Sequence, residues 1–290
     1  MTLTSWQQRQ AEWIRQACVL EATARKPGNV HPSARYEDLT YEDFLLAAQL
    51  SAPILATCTA NTVGVTILEA IRATRSQLTT NANLGIVLLL APLSAVPAEA
   101  ELRQGIRQIL DGLTIADASA VYEAIRVSQP GGLGEASEQD VSTQPTVTLT
   151  AAMKLAAHRD LVARQYANGY ADAFALADSL REKMREFDGA VIEPTLPLSP
   201  FCEDAIIRAF VEFLAHHRDT LIERKCGPET AEEASQRARQ VLATASHPLV
   251  EDAAFQALDH WLRADGHRRN PGATADLMAA ALYVLLREWS

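Results

Sequence analysis

The sequence predicts an all-α protein, and three observations lead to this prediction. Apolar residues recur at spacings of three and four along most of the chain, beginning with Trp13, Ala17, Leu20 and Ala24, which marks one face of a helix. Segments of alternating β-branched residues are nearly absent. The chain has 290 residues, 48% of them hydrophobic, and can therefore bury a large core. We expect a single compact domain over residues 1–290 with roughly ten to thirteen helices.

The helices are expected in regular order, separated by short loops. The first runs through Trp13 and ends before the sequence KPGN. The apolar run from Leu84 to Val96 contains Pro92 and is too short to span a bilayer, so we expect a buried core helix there. The other helical segments are 41–58, 63–74, 98–113, 114–129, 148–167, 170–187, 202–217, 228–245, 248–266 and 272–289. The clearest loops are 26–38, 130–146 and 190–200.

Composition argues against several classes of function. A net charge of −10 would repel nucleic acids and anionic membranes. The four cysteines are scattered and form no C-x-x-C pair, which is typical of a reducing cytosol. The N-terminus lacks the basic and apolar regions of a signal peptide. We therefore expect a cytoplasmic protein that binds neither nucleic acid nor membrane, and the large apolar content suggests a homodimer.

Glu21 places a carboxylate on the apolar side of the first predicted helix. It lies seven residues after Ile14 and three after Cys18, and so shares their face. A buried carboxylate must be paired, bind a metal or belong to a functional site. From the sequence, a structural ion pair is slightly favoured over a site.

Asp160 repeats this situation later in the chain. It follows Met153 and Ala157 on one helical face. Arg164, four residues later, offers an ion pair within the helix. That structural interpretation is again slightly favoured over a functional one.

The stretch RRNPGATADLM, which starts at Arg268, has the features of a phosphate-binding helix start. Asn270 is a good N-cap and Pro271 suits the first helical position. Gly272 lets a ligand approach the backbone, where free N–H groups bind phosphate. Asp276, one turn further, could hold a cation beside that phosphate. An ordinary capped helix explains the pattern equally well.

Two further stretches are rich in Asn or Gly. Asn81 and Asn83 precede the most apolar helix and either cap it or present amides to a ligand, with capping favoured by their spacing. The sequence GGLG from Gly131 to Gly134 follows a helix rather than a strand and lacks G-K-S/T. It therefore fails the context test for a dinucleotide-binding or P-loop motif. Asp140 follows in the same loop.

The run HHRDTLIERKCG, residues 216–227, gathers His, Arg, Asp and Lys near a helix junction. Its spacing matches no metal site such as H-E-x-x-H, so zinc is not expected. A solvated helix end is the favoured interpretation. Taken together, cations, amides, glycines and isolated acids near helix ends suit a polyphosphate with Mg²⁺. The residues alone therefore lead as far as an all-α protein that binds a Mg²⁺–nucleotide.

The order of these stretches resembles one family. Glu21 followed by KPGNV, Asp38 before DF, and then NANLG, GGLG…DV, RD, DTLIERKCG and NPGATADL resemble the triphosphoribosyl-dephospho-CoA synthase family over residues 18–287. The resemblance implies an all-α fold and ATP as a ribosyl donor. It implies that the 2′-hydroxyl of 3′-dephospho-CoA attacks C1′ of the ATP ribose and that adenine leaves. The product would be the precursor of a prosthetic group on acyl-carrier subunits.

The resemblance also indicates which residues form the nucleotide pocket. Displacement at C1′ passes through an oxocarbenium-like state that carboxylates stabilise, and a carboxylate can take the proton of the attacking hydroxyl. We therefore expect Glu21, Asp160 and Asp276 to be the catalytic acids and the Mg²⁺ ligands. Lys26 with Arg224 or Lys225 would bind phosphates, and the asparagines would orient ribose or phosphate oxygens. The full set of expected nucleotide- or phosphate-binding residues is Lys26, Gly28, Asn29, Asn81, Asn83, Gly132, Arg224, Lys225, Asn270, Gly272 and Thr274.

Departures from the citrate-lyase branch of that family bear on the acceptor. No Gly-x-His segment precedes Asp38, and the DTN…RGG pattern becomes DTL at 219–221 and KCG at 225–227. A related transferase with another acceptor, such as one for a methanopterin-type cofactor, is therefore an alternative. Two others are an all-α Mg²⁺-dependent nucleotide phosphohydrolase and a helical nucleotide-binding or scaffold protein without turnover. If Glu21 is in the site, its replacement by Gln should abolish turnover and leave the fold intact.

Overall fold

The computed structural model describes residues 3–130, 138–185, 195–244 and 247–289, and these contain fourteen α-helices. A 3-10 helix at Leu249–Glu251 and a short extended segment at Ala264–His267 complete the regular elements of these ranges. The all-α prediction is confirmed. In chain order the helices are α1 Ser5–Thr23, α2 Tyr41–Leu55, α3 Val63–Arg75, α4 Leu84–Ala95, α5 Leu102–Asp111, α6 Ile115–Ser128, α7 Leu149–Ala156, α8 Leu161–Asn168, α9 Ala171–Lys183, α10 Pro200–His216, α11 Thr220–Cys226, α12 Pro228–Thr244, α13 Ala253–Arg263 and α14 Gly272–Trp289.

The number of helices exceeds the expected ten to thirteen for two local reasons. The segment 148–167 divides into α7 and α8, because Asp160 adopts an extended backbone and caps α8 instead of continuing α7. The run expected as a solvated helix end contains a helix of its own, α11, which Asp219 caps. Short polar side chains that accept backbone hydrogen bonds thus create boundaries that apolar spacing does not reveal.

Helices α4 and α14 lie at the centre of the fold. Every residue of α4 except Gly85 is buried, and α14 is buried continuously from Leu277 to Leu286. Helix α4 contacts α1, α2, α3, α5, α8 and α14, and the large core cluster draws residues from both ends of the chain. None of the helices in the described ranges is long and apolar enough to cross a membrane.

The buried helix α4 needs outside partners for its carbonyl groups. Pro92 has no N–H, so the carbonyl of Leu88 loses its helical donor. The hydroxyl of Tyr166 on α8 donates to that carbonyl at 2.6 Å. Near the C-terminal end of α4, the guanidinium of Arg287 on α14 donates to the carbonyl of Leu93 at 3.0 Å. These bonds fix α4 against α8 and α14, and so fix the position of its N-terminus.

A second, smaller apolar cluster lies in the connection between α1 and α2. It is built on Val30, Tyr36 and Leu39. The hydroxyl of Tyr36 donates to the carbonyl of Gly28 at 2.5 Å, which holds this connection in place. Val30 and Leu39 also face the cavity described next.

Candidate active site

A cavity of about 750 Å³ opens where the two central helices begin. Its wall includes the first residues of α4 and α14, the end of α1, parts of α6, α7 and α8, and helix α11. Ten of the residues predicted as catalytic or nucleotide-binding line this cavity, although they come from distant parts of the chain. They are Glu21, Asn29, Asn81, Asn83, Asp160, Arg224, Lys225, Asn270, Gly272 and Asp276.

Three predicted residues lie in the described structure but not on the cavity wall, and Gly132 falls outside the described residues. Lys26 is fully buried, and its Nζ lies 3.0 Å from Oε1 of Glu21. The same ammonium donates to the main-chain carbonyls of Glu21 and Ala24. Lys26 is therefore the counter-ion of Glu21, and the prediction that it binds phosphate is not supported by its position. Glu21 is both paired and on the cavity wall, so the two interpretations of this residue are compatible.

Gly28 and Thr274 hold the backbone around the cavity. Gly28 has φ +74°, and a Cβ there would lie 2.7 Å from Cβ of Leu262, so the position requires glycine. Its N–H donates to Oδ1 of Asp259 at 2.7 Å. The N–H and the hydroxyl of Thr274 both donate to Oδ2 of Asp219, at 2.7 and 2.8 Å. The contacts of both residues are therefore structural.

Asp219 joins the start of α14 to the start of α11. It is fully buried, and its other oxygen, Oδ1, accepts from the N–H groups of Leu221 and Ile222 at 2.9 and 3.0 Å. These contacts, together with those from Thr274, fix α11 and the two cations at its end. This role could not be predicted from the residues, because an acid among other charges in a helix junction is usually solvated.

Asp276 carries the most perturbed carboxyl group on the wall. Burial, followed by the negative charges of Glu21, Asp219 and Asp160, raises the pKa of Asp276 well above its usual range. Among the described residues, none donates a hydrogen bond to this carboxylate. Gly85 packs directly against it, since a Cβ at position 85 would overlap Oδ2 of Asp276. Gly85 belongs to the NANLG stretch, but its contact with an acid of α14 was not predicted from the sequence.

The contacts of Asp160 differ from those predicted. The expected partner, Arg164, instead binds Asp172, with 2.9 Å between Nε and Oδ2. Asp160 caps α8, where its Oδ1 accepts from the N–H of Ala163 at 2.9 Å, and its Oδ2 lies 3.4 Å from Nη1 of Arg224. The helix boundary turns Asp160 away from the face it would share with Arg164 in a continuous helix. Asp160 therefore lies between the acids and the cations of the cavity.

Lys225 and Arg159 provide further positive charge. Burial and the neighbouring Arg224 lower the pKa of the Lys225 ammonium. Arg159, in the short connection between α7 and α8, is exposed on the wall and has no ion pair with any described residue. It was not predicted as a site residue, although it forms the RD pair with Asp160.

The four asparagines on the wall have different tasks. Oδ1 of Asn81 accepts from the N–H of Leu84 at 3.1 Å and so caps α4. Asn83, at the N-cap position itself, makes no capping bond. Asn270 is not the cap of α14, because the carbonyl of Pro271 accepts the first helical bond, from Ala275. Instead, Oδ1 of Asn270 accepts from Nδ2 of Asn29 at 2.5 Å.

The predicted metal site is not a preformed three-ligand cluster. Within the described ranges, no group of three His, Cys, Asp or Glu side chains is arranged to hold a metal ion. Glu21, Asp160 and Asp276 line the same cavity, and the first two act electrostatically on Asp276, but the three are not arranged around one metal position. Any Mg²⁺ bound here would therefore need ligands from a substrate or from water.

One family model matches nearly the whole chain, and a solved structure shares its fold. The model of the CitG family, described as ATP:dephospho-CoA triphosphoribosyl transferase, matches residues 7–290. A crystal structure from Archaeoglobus fulgidus, provisionally described as a triphosphoribosyl-dephospho-CoA synthase, shares the fold with a TM-score of 0.63 at 22% identity, over 84% of this chain and 98% of that chain. The comparison with curated proteins found no significant match. Because the family model covers nearly its whole length, the protein belongs to the ATP:dephospho-CoA triphosphoribosyl transferase family and is a transferase.

Proposed function

We propose that the cavity binds ATP and 3′-dephospho-CoA, or a related acceptor, and transfers the triphosphoribosyl group to a hydroxyl of the acceptor with release of adenine. The observation that carries this proposal is the composition of one wall. There, the acids Glu21, Asp276 and Asp160 adjoin the cations Arg224 and Lys225. A ribosyl transfer from ATP needs both kinds of group, acids at the sugar carbon and cations at the triphosphate.

The acids suit the chemistry at C1′. As the C1′–N9 bond breaks, positive charge develops on the sugar, and nearby carboxylates stabilise it. The 2′-hydroxyl oxygen of the acceptor forms the new bond to C1′, its proton passes to a carboxylate, and adenine leaves with the bonding pair and takes up a proton. The raised pKa of Asp276 reflects burial and neighbouring negative charges, so this carboxylate gains most from positive charge placed beside it, such as the charge that develops at C1′. Glu21 is held by Lys26 and contributes a fixed negative charge.

The cations and the helix ends suit the triphosphate, which the product retains. Arg224 and Lys225 lie at the C-terminal end of α11, and the N-terminus of α14 faces the same cavity at Gly272 and Ala273. Arginine, lysine and free backbone N–H groups at a helix start are the usual ligands of phosphate. The N–H of Gly272 already donates to the carbonyl of Asn270 at 2.8 Å, so the free N–H at this point is that of Ala273. The cavity volume also lies in the range typical of small-molecule sites.

Mg²⁺ fits the donor set of this wall. The Asp276 carboxylate has no hydrogen-bond donor among the described residues and lies in the negative field of Glu21 and Asp160. A hard divalent cation prefers such oxygens and commonly uses one or two carboxylates together with substrate phosphates. We propose Asp276 and Asp160 as the protein ligands, with Mg²⁺ neutralising triphosphate charge when bound. In a thermal melt, Mg²⁺ with ATP should then stabilise the wild-type protein more than the Asp276→Asn variant.

The test is mass spectrometry of the small molecules formed from Mg²⁺–ATP, with and without 3′-dephospho-CoA. Free adenine and a triphosphoribosylated coenzyme, formed in equal amounts and only with the acceptor present, are expected. Release of ADP or phosphate would identify a nucleotide phosphohydrolase and overturn the proposal. ATP binding with neither adenine nor phosphate release, even with alternative acceptors, would point to a non-catalytic binding protein.

A further inference from the structure

Asn83 has an amide that the folded chain leaves without a partner. Its residue is 6% exposed, and its buried Nδ2 has no hydrogen-bond acceptor. Its backbone, with φ −149° and ψ 15°, keeps the side chain from capping α4, a task that Asn81 performs instead. Asn83 lines the cavity, so this unpaired donor belongs to a residue of the cavity wall.

Asn29 has an unpaired acceptor, where Asn83 has an unpaired donor. It is 4% exposed, and its Nδ2 donates to Oδ1 of Asn270, which sets the orientation of the amide. Its main-chain carbonyl accepts from Nη2 of Arg263 at 2.5 Å, which holds the backbone. The buried Oδ1 of Asn29 is left without a donor. Asn29 also lines the cavity, so the wall carries one unpaired donor and one unpaired acceptor.

Buried polar groups without partners are rare in folded proteins, and each one calls for a ligand or an ordered water. The chemistry of the two atoms restricts the ligand. Phosphate oxygens accept hydrogen bonds but do not donate them at neutral pH, so they cannot satisfy Oδ1 of Asn29. A hydroxyl group both donates and accepts, and a pair of neighbouring hydroxyls can satisfy both amides.

The position of the amides indicates which hydroxyls these are. Asn83 precedes Gly85 by two residues, and Gly85 packs against Asp276. Asn29 is bonded to Asn270, just before the helix that carries Asp276. Asn83 therefore starts the helix that packs against Asp276, the acid expected at C1′, and Asn29 is bonded to a residue just before the helix that carries Asp276. The hydroxyls of ATP nearest to C1′ are those of the ribose.

We infer that Asn29 and Asn83 bind the ribose 2′- and 3′-hydroxyls of ATP and make the protein select ribonucleotides over deoxyribonucleotides. This inference rests on the proposed function of the cavity. It has a consequence for rate as well as binding, because hydrogen bonds to the hydroxyl next to a reacting sugar carbon strengthen in the oxocarbenium-like state. A site built to bond a hydroxyl also rejects the analogue that lacks it, since its polar groups then stay unpaired.

The experiment compares adenine release from ATP, 2′-deoxy-ATP and 3′-deoxy-ATP by the wild type and by Asn83→Ala. Comparing the effect of the substitution on each nucleotide cancels the different intrinsic reactivity of the deoxy sugars. We expect Asn83→Ala to lower kcat/KM for ATP by about ten- to hundredfold, and to lower it by less than about threefold for at least one deoxynucleotide. An equal loss on all three nucleotides would assign the amide to adenine or phosphate and overturn the inference.

Asn81→Ala is the matched control, because it removes an asparagine amide two residues away that caps α4. It should lower the melting temperature and leave the ratio of ATP to deoxynucleotide rates unchanged. Asn83→Ala removes a buried donor that has no partner and should not lower the melting temperature. A change of the ratio in Asn81→Ala as large as in Asn83→Ala would contradict the inference.

Calorimetric binding of the three nucleotides to the wild-type protein, without acceptor, separates this inference from the proposed function. Ribose recognition predicts that ATP binds at least about tenfold more tightly than one of the deoxynucleotides. If that preference exists but no adenine is ever released, the proposed function fails and ribose recognition stands. If adenine is released but all three nucleotides bind and react alike, the inference fails and the proposed function stands.

Discussion

At the scale of single residues, Glu21 shows how a buried charge restricts the interpretation of a mutation. Its carboxylate and the Lys26 ammonium lie 3.0 Å apart, with side-chain exposures of 4% and 0%. The removal of one partner from such a pair leaves an uncompensated buried charge, which costs about 3–5 kcal/mol of stability. The expectation that Glu21→Gln would leave the fold intact therefore needs revision.

We predict that Glu21→Gln lowers the free energy of unfolding by about 3–5 kcal/mol and that adding Lys26→Met restores most of this loss. The reason is that the double variant contains no unpaired buried charge. Chemical denaturation of the wild type, Glu21→Gln and Glu21→Gln/Lys26→Met measures both effects. Equal stability of the single and double variants would show that the pair is not coupled. Adenine release by a stable double variant then reports on the role of the Glu21–Lys26 pair in turnover, separately from its role in stability.

Asp276 gives a prediction that depends on pH. The pKa of its carboxyl is raised in the folded protein, so the folded state binds this proton more tightly than the unfolded state does. The resulting penalty is absent below the ordinary pKa of an aspartate and develops as pH rises from there through the raised value. Asp276→Asn lacks the penalty. Its gain in melting temperature over the wild type should therefore be larger at about pH 8 than at about pH 4.

Melting curves of both proteins across that pH range, in buffers of constant ionic strength, test this prediction. Asp111→Asn is the control, since it removes the same charge from an exposed position at the end of α5. A gain in melting temperature for Asp276→Asn that stays constant or shrinks with rising pH would contradict a raised pKa of Asp276 in the folded protein.

At the scale of elements, the start of α4 joins stability to function. Asn81 caps the helix, Asn83 faces the cavity, and Gly85 leaves room for Asp276. The sequence predicted an apolar helix preceded by asparagines. It could not show which asparagine caps the helix and which lines the cavity, because that depends on the unusual backbone conformation of Asn83. Nor could it show that Gly85 faces an acid of α14, because that contact joins positions 191 residues apart along the chain.

We predict that Gly85→Ala lowers adenine release at least tenfold, because the added methyl group forces the Asp276 carboxylate out of its position. The melting temperature should change little, since the group displaced is the end of a side chain and alanine favours a helix by about 1 kcal/mol over glycine. Gly112→Ala is the matched control, because a Cβ there meets its nearest neighbour at an ordinary 3.4 Å. An active Gly85→Ala variant would show that Asp276 can move without loss of function.

At the scale of the whole molecule, the two most buried helices both begin at the cavity. Helices α4 and α14 form the centre of the core, and their N-terminal ends bring Asn83, Gly85, Gly272 and Asp276 to one wall. The core thereby fixes the geometry of the site, and the positive ends of two helix dipoles face a ligand expected to carry phosphates. The single domain, the homodimer and the cytoplasmic location remain predictions.

The fold class was predictable because helical periodicity is a local property of the sequence. The residues that form the site could be predicted mainly from the family resemblance. Spacing alone places Glu21 and Asp276 on separate helices and does not predict the distance between them. The burial of Lys26 was not accessible, because a lysine after a helix end is usually exposed. The division at Asp160 was missed because a capping carboxylate and a helical one look the same in sequence.

We propose that the acids of this cavity carry out ribosyl transfer from ATP. The most direct test is the initial rate of adenine release from Mg²⁺–ATP with saturating 3′-dephospho-CoA for the wild type, Asp276→Asn and Asp111→Asn. We expect equal rates for the wild type and Asp111→Asn, and a loss of at least about a hundredfold for a folded Asp276→Asn variant. A folded Asp276→Asn variant that releases adenine at the wild-type rate would contradict it.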